Sequence, residues 1–179
     1  MVPEILADEE NELTALAREA IGELHDLFRD LDRRIASFDK KIERVFRASE
    51  DCQRIARIKG VGPKTATAVI AAIGDSTEFK NGRHLAAWVG LVPRQHSSGQ
   101  RTVLLGISKR GSQHLSSLLV HGARSVVRTA AGKTDPFNAW VNQLHQRRGF
   151  NRATVAVANK NARIIWAVLR SGEVYHAAR

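Results

Sequence analysis

The feature that most constrains this chain is a regular apolar seam near its amino terminus. Apolar residues recur at alternating steps of four and three residues, at Leu13, Ala17, Ala20, Leu24, Leu27 and Leu31. After a one-residue slip of the kind seen at a local stutter, the alternation resumes at Ile35, Phe38, Ile42 and Val45. Such spacing places one stripe along a helix and is typical of a coiled coil. The pattern predicts one long helix, or a helical pair, over about residues 13–46.

The chain separates its charges along the sequence. Residues 1–51 carry 14 Asp/Glu and 8 Lys/Arg, a net charge of −6, whereas residues 52–179 carry 4 Asp/Glu and 20 Lys/Arg, a net charge of +16. No carboxylate occurs between Glu78 and Asp135. A segregated positive field of this strength favours a polyanionic partner. We therefore predict that the second part binds nucleic acid, and we rank this above a basic protein that is merely soluble.

Beyond residue 51 the sequence is typical of a series of helices. Their predicted starts and stops coincide with the residues that favour helix ends, Pro63, Gly74, Asn81, Pro136, Gly149 and Gly172. At most one short β element is expected, around residues 103–107. We predict an all-α protein with a coiled-coil extension for dimerisation over residues 1–51 and a compact helical domain over residues 52–179.

The motif GVGPKTA at residues 60–66 predicts a tight turn between two helices. The first amides of a helix lack intrahelical partners, and together with the helix dipole they favour a phosphate group. Lys59 and Lys64 flank the turn, whose glycines are Gly60 and Gly62. The motif resembles the hairpin of helix-hairpin-helix proteins, which bind the DNA backbone. The alternative is a helical corner whose glycines only permit close packing.

The stretch HSSGQRTVLLGISKRG, within a predicted loop or small hairpin at residues 94–111, has no carboxylate. A serine hydroxyl needs a nearby base or positive charge to act as a nucleophile, and Ser97 and Ser98 lie next to His96. Four cations surround these serines in sequence, Arg94, Arg101, Lys109 and Arg110. They suit a phosphate under attack. By composition alone, phosphate contact without chemistry is the favoured interpretation.

The second part of the chain offers no cluster of acids for a metal ion. Its carboxylates are dispersed, at Asp75, Glu78, Asp135 and Glu173, whereas metal-assisted phosphodiester cleavage needs them together. We predict no metal site and no cofactor in this chain. Cys52 is the single cysteine, so a disulfide framework is excluded. We expect a cytoplasmic protein, because no apolar run approaches the ~20 residues of a membrane span and no secretory signal is evident.

Four segments resemble one family closely: IKGVGPKTATAVIAAIGD, FKNGRHLAAWVGLVPRQHSSGQ, GISKRGSQHLSSLLVHGARSVV and VAVANKNARIIWAVLRSGEVY. It is the family of DEDD insertion-sequence transposases, the IS-one-ten group that includes the bridge-RNA-guided recombinases. The resemblance runs from about Arg54 to Tyr175, and its most specific part is GLVPRxxSSG followed by GISKRG. The family usually has SSGG where this chain has Gln100 after the glycine.

The resemblance implies a catalytic role for one serine. The C-terminal domain of this family supplies a serine that attacks DNA and forms a covalent phosphoserine link. The serine directly before the glycine matches best, so Ser98 is the expected nucleophile and Ser97 the reserve. The family also carries an amino-terminal RuvC-like domain with four acidic residues that bind metal. We expect Mg²⁺ only with that domain, and the chain looks like the C-terminal half of a transposase.

The sequence thus predicts a DNA-binding part of a transposase or recombinase that is not competent for cleavage by itself. The resemblance implies DNA as the substrate and a guide RNA as a further partner. A homodimer or tetramer is expected through the coiled coil, in the bacterial cytoplasm with the nucleoid. The alternative function is a non-catalytic nucleic-acid-binding module that kept the helical hairpin.

Overall fold

The structure is a computed structural model that describes residues 2–98, 101–108 and 110–176, with the backbone alone for residues 96–98, 101, 102 and 104. The described chain contains eight α-helices and one two-stranded antiparallel sheet. The helices are α1 (Val2–Ala7), α2 (Ala15–Ala48), α3 (Glu50–Ile55), α4 (Pro63–Ile73), α5 (Gly82–Trp88), α6 (Gln113–Thr129), α7 (Pro136–Arg148) and α8 (Phe150–Ser171), and the strands are β1 (Pro93–Ser98) and β2 (Arg101–Ile107). A single 3₁₀ turn, Ser76–Glu78, separates α4 from α5. The predicted fold class is confirmed.

Two compact units divide the chain, Met1–Arg44 and Val45–Arg179. The first contains α1 and most of the length of α2, a continuous helix of 34 residues that buries none of its side chains. The predicted long helix is therefore confirmed, as one element without a break. Helix α1 was not predicted. Arg18 holds the connection between α1 and α2 by donating to the carbonyl oxygen of Leu6 at 2.9 Å and to Oδ1 of Asn11 at 2.7 Å.

Helix α8 is the central element of the second unit. Its buried residues recur at helical spacing, at Ala153, Thr154, Val157, Ala158, Asn161, Ala162, Ile165 and Val168. This stripe packs against α3, α5, α6 and α7. A Cβ on Gly82 would lie 2.8 Å from the carbonyl oxygen of Arg163, so the start of α5 touches the backbone of α8. Close approach of this kind needs a residue without a side chain.

The helix ends follow the signals in the sequence. Asn81 caps α5 by accepting a hydrogen bond from the His84 amide at 3.0 Å, and the side chain of Asp135 caps α7 through the amide of Asn138. Gly172 ends α8 in the left-handed conformation with φ of 69°. Local capping chemistry therefore decides where these helices begin and end.

Candidate nucleic-acid interface

The turn between α3 and α4 is fixed against α6 by two glycines. Gly60 has a φ of 87°, and a Cβ added there would lie 2.8 Å from the carbonyl oxygen of Gly122. A Cβ on Gly122 would in turn overlap the carbonyl oxygen of Gly60. The two backbones therefore meet directly. Gly60 therefore permits close packing of the turn, as the second interpretation of the motif predicts, because both its conformation and its surroundings exclude a side chain.

Gly62 has a different environment from Gly60. It is exposed, has nothing within 4 Å of an added Cβ, and precedes α4 without a side-chain cap. Pro63 occupies the first helical position, so the amides of the first turn belong to Lys64 and Thr65. Helix geometry gives these amides no intrahelical acceptor. The open side of the turn is thus compatible with the predicted phosphate contact.

Lys59 is engaged within the protein. Its Nζ lies 3.0 Å from Oδ1 of Asp135 and 5.5 Å from the centre of the Phe137 ring. The hydrogen bond from Lys59, with a second from Asn138, lowers the pKa of Asp135 to about 2. The carboxylate of Asp135 therefore competes with any phosphate for this lysine. Lys64 is exposed on the first turn of α4.

A buried asparagine of α8 supports the same turn. Asn161 is fully buried, and its Nδ2 donates to the carbonyl oxygen of Lys59 at 2.9 Å. Its Oδ1 has no hydrogen-bond partner. Burial of an amide at the centre of an apolar stripe is unfavourable unless it is hydrogen-bonded. Asn161 therefore acts by holding the backbone of the turn.

The serine-bearing segment forms the predicted hairpin, and its base is anchored on the helices. Leu91 is buried, its amide donates to Ala86, and its carbonyl oxygen accepts from Nδ2 of Asn159 at 3.2 Å. On the return side, a Cβ on Gly111 would overlap the carbonyl oxygen of Trp88. Both ends of the segment are therefore held against α5, and Asn159 adds a contact from α8.

The register of the hairpin places the serines where the two strands are connected, far from its base. Residues face each other as His96 with Val103, Ser97 with Thr102, and Ser98 with Arg101. Ser98 is thus the last residue of β1, directly opposite a basic residue on β2. The side chains of Ser97, Ser98 and Arg101, together with the whole of Lys109, lie outside the described residues.

The other two predicted phosphate ligands of the hairpin are exposed. Arg94 lies on β1 close to its base, and Arg110 follows β2, where its amide donates to Oγ of Ser108 at 3.4 Å. Val103 and Leu105 are 39% and 46% exposed, so these two residues of β2 are accessible. The hairpin therefore offers an accessible basic surface.

The carboxylates of the second unit take part in local structure. Asp135 caps α7, and hydrogen bonds from the hydroxyl and amide of Thr77 lower the pKa of Asp75. Within the part of the chain that the structure describes, no three His, Cys, Asp or Glu side chains lie together so as to hold a metal ion. The same part contains no helix with the length and apolar character needed to cross a membrane.

Comparison with known proteins identifies the family. Residues 52–138 match the model described as the Transposase IS116/IS110/IS902 family. The transposase for insertion sequence element IS1111A of Coxiella burnetii is 48% identical over 174 residues, which are 97% of this chain and 48% of that protein. The probable family 20 transposase of Pseudomonas aeruginosa is 46% identical over 171 residues, 96% of this chain and 51% of that protein. The chain belongs to the IS116/IS110/IS902 transposase family.

A relative with a different name also matches. The pilin gene-inverting protein of Moraxella bovis is 31% identical over 125 residues, 68% of this chain and 37% of that protein. The chain spans about half the length of the two IS116/IS110/IS902 transposases named above. The predicted family is confirmed, and the match to its model includes both the turn at residues 60–66 and the hairpin.

The sequence analysis missed two contacts of α8 that position these motifs. Asn161 holds the turn and Asn159 holds the base of the hairpin. The available signal was the polar run Asn159-Lys160-Asn161 inside an otherwise apolar helix of this transposase-family chain. Such an interruption indicates a buried polar contact, but the sequence alone does not identify the partner.

Proposed function

We propose that this chain is the DNA-binding, serine-bearing C-terminal part of an insertion-sequence transposase. Membership of the IS116/IS110/IS902 family supports the general activity. The observation that carries the finer proposal is the hairpin register, which brings Ser98 opposite Arg101 in a stretch of the sequence without Asp or Glu. The protein acts with DNA in the bacterial cytoplasm.

In the proposed reaction, Oγ of Ser98 attacks the phosphorus of a DNA phosphodiester. A bond forms between Oγ and phosphorus, while the bond from phosphorus to one sugar oxygen breaks. The serine proton leaves, with His96 as the candidate carrier, and the departing sugar oxygen gains a proton. The link that results is a phosphoserine diester, which a DNA hydroxyl reverses by the same kind of attack. Ser97 is the reserve nucleophile.

The positive groups of the two motifs neutralise phosphate charge in this proposal. Arg94 and Arg110 are exposed beside the hairpin, and Arg101 and Lys109 extend the set in sequence. Gly62 and Lys64 contact the DNA backbone at the open start of α4. Lys59 contributes only where a phosphate displaces Asp135, and Gly60 shapes the turn.

Among the described residues, no three His, Cys, Asp or Glu side chains lie together so as to hold a metal ion. Asp75 and Asp135 cap a 3₁₀ turn and α7 respectively. We therefore derive no step through a metal ion from these residues. A RuvC-like partner domain would supply the acidic ligands for Mg²⁺, and a guide RNA would select the target.

We further propose that α2 pairs with α2 of a second copy. Its seam is exposed, with Leu24 at 65%, Leu27 at 56% and Phe38 at 61%, and burial of such a stripe favours association. Analytical ultracentrifugation of the chain should detect a dimer or tetramer, and the double change Leu27→Asp and Leu31→Asp should convert it to a monomer. An oligomer that survives both charges would contradict pairing along this seam.

The serine is tested by trapping the covalent link. The complete chain is combined with a RuvC-like half supplied as a separate polypeptide and with labelled DNA that carries the ends of the insertion element. Denaturing gels then report protein–DNA adducts. We expect an adduct with the unchanged chain and with Ser97→Ala, and none with Ser98→Ala. Ser117→Ala, an exposed serine of α6, is the matched control and should leave the adduct unchanged.

The other outcomes overturn parts of the proposal. Loss of the adduct in Ser97→Ala, with retention in Ser98→Ala, would move the nucleophile to Ser97. Recombination that is unaffected when both serines are replaced would favour the non-catalytic binding module. Duplex binding by gel shift serves as the folding control for every variant.

A further inference from the structure

A groove of about 980 Å³ lies in the second unit between the base of the hairpin and the outer face of α8. Pro93 and Leu105 line it from the hairpin, and Val155 and Ala156 line it from α8. Leu105 is 46% exposed. The groove therefore presents an accessible apolar surface that no described segment covers.

Cations surround this apolar surface. Arg152, Lys160 and Arg163 line the groove, and none of the described residues that line it is Asp or Glu. Arg152 and Arg163 are exposed on α8. Nζ of Lys160 lies 4.2 Å from the centre of the Trp140 ring, which also lines the groove. The face of an aromatic ring attracts an ammonium group, so Lys160 places a positive group at the groove beside Trp140.

An apolar surface with positive charges matches the two chemical parts of a nucleotide. A base offers a flat apolar face, and its phosphate offers the negative charge. In a paired duplex the base faces are stacked on each other and are not accessible, so only an unpaired or extruded nucleotide can place a base in a groove. The volume of about 980 Å³ is within the range of pockets that enclose small organic ligands.

We infer that this groove holds one unpaired DNA nucleotide beside the serine hairpin. The base packs between Leu105 and Val155, and the phosphates on either side contact Arg152 and Arg163. Lys160 already covers one face of Trp140, so the base packs on the aliphatic side chains rather than on that ring. The inference rests on the proposed function, because the hairpin that forms one wall also carries Ser98, whose proposed target is a DNA strand.

The test compares three DNA duplexes that differ at one position. The first is fully paired, the second has one extrahelical thymidine, and the third has an abasic site in place of that thymidine. Affinities are measured by fluorescence anisotropy with the complete chain at fixed salt. The duplex with the extrahelical thymidine should bind about tenfold more tightly than the paired or the abasic duplex, because only it offers an unpaired base. An RNA–DNA duplex with an extrahelical uridine on the RNA strand should lack this preference.

Matched variants locate the effect. Leu105→Asn and Arg152→Gln should remove the preference for the extrahelical thymidine while leaving binding to the paired duplex within about twofold. Val103→Asn changes an exposed residue of the same strand that does not line the groove, and Arg148→Gln removes an equivalent charge from the end of α7. Both controls should keep the preference.

Each remaining outcome counts against the inference. Equal binding to all three duplexes, an abasic duplex bound as tightly as the thymidine duplex, the same preference for the RNA strand, or an equal loss in Val103→Asn would each overturn it. If even the paired duplex is not bound, the proposed DNA-binding function fails and this inference fails with it. Paired binding without a preference overturns the groove alone.

Discussion

Nδ2 of Asn161 donates a hydrogen bond of 2.9 Å to the carbonyl oxygen of Lys59, so the middle of α8 is tied to the turn before α4. Two positions earlier, Asn159 donates to the carbonyl oxygen of Leu91 at 3.2 Å, at the base of the serine hairpin. One helix therefore positions both motifs that we expect to contact DNA. The spacing between turn and hairpin is set by the rigidity of α8.

Replacement of Asn161 should weaken the turn. Asn161→Ala removes the donor to Lys59 and should lower the free energy of unfolding by about 1–2 kcal/mol, partly offset because the unpaired Oδ1 is removed as well. Urea unfolding followed by circular dichroism measures the difference. Asn151→Ala, an exposed amide on the same helix, is the control. A loss no larger than that of the control would contradict the supporting role of Asn161.

The two glycines of the turn should respond differently to alanine. Gly60→Ala places a methyl group against the backbone of Gly122 and forces a side chain into positive φ, so we expect a loss of at least about 2 kcal/mol. Gly62→Ala, which faces open space, should cost less than about 1 kcal/mol. Thermal unfolding of both variants decides the point. Comparable losses would show that the turn does not pack on α6 as described.

DNA binding should depend steeply on salt, because the second part of the chain carries a net charge of +16. If the chain contacts six phosphates, raising the salt concentration from 50 to 200 mM should weaken binding about a thousandfold. Arg94→Gln and Arg110→Gln should each reduce the slope of log affinity against log salt by about one. Arg29→Gln, in the acidic first part of the chain, should leave the slope unchanged. Affinity that is independent of salt would exclude phosphate neutralisation as the driving force.

The ion pair between Lys59 and Asp135 predicts a pH dependence of stability. The pKa of Asp135 is lowered from 3.8 to about 2 in the folded protein. A carboxyl group with a lowered pKa stabilises the fold above its unfolded pKa, and this contribution is lost as the pH falls from about 4 to about 2. The unchanged chain should therefore exceed Asp135→Asn in stability near pH 6, and most of this difference should be gone near pH 2. A difference as large near pH 2 as near pH 6 would assign it to another cause.

Much of the fold follows from signals that act over a few residues. The heptad spacing predicts α2, Asn81 and Pro136 mark the starts of α5 and α7, and Gly149 and Gly172 mark helix ends. These signals are reliable because periodicity and capping depend on neighbours within one or two turns of the chain. Helix α1 has no comparable signal, and its connection to α2 depends on the side chain of Arg18.

The candidate site likewise combines features that the sequence predicted with features that it did not. The sequence placed Ser97 and Ser98 in a loop or small hairpin between basic residues, but it did not identify the contacts that Asn159 and Asn161 make. It did not distinguish Gly60, which packs on α6, from Gly62, which faces open space. Both glycines fit the same turn motif, and the positive φ of Gly60 and its contact with Gly122 separate their roles.

The sequence by itself determined the family, the helical class and the segregation of charge, and it placed the serines in a loop or small hairpin. Only the tertiary structure decided that Lys59 pairs with Asp135, 76 residues away, and that Asn161 bonds to the Lys59 carbonyl across 102 residues. Contacts of this range depend on how helices pack, which is set by the summed burial of many side chains rather than by any short pattern. The groove beside the hairpin exists for the same reason, since its walls come from segments far apart in the chain.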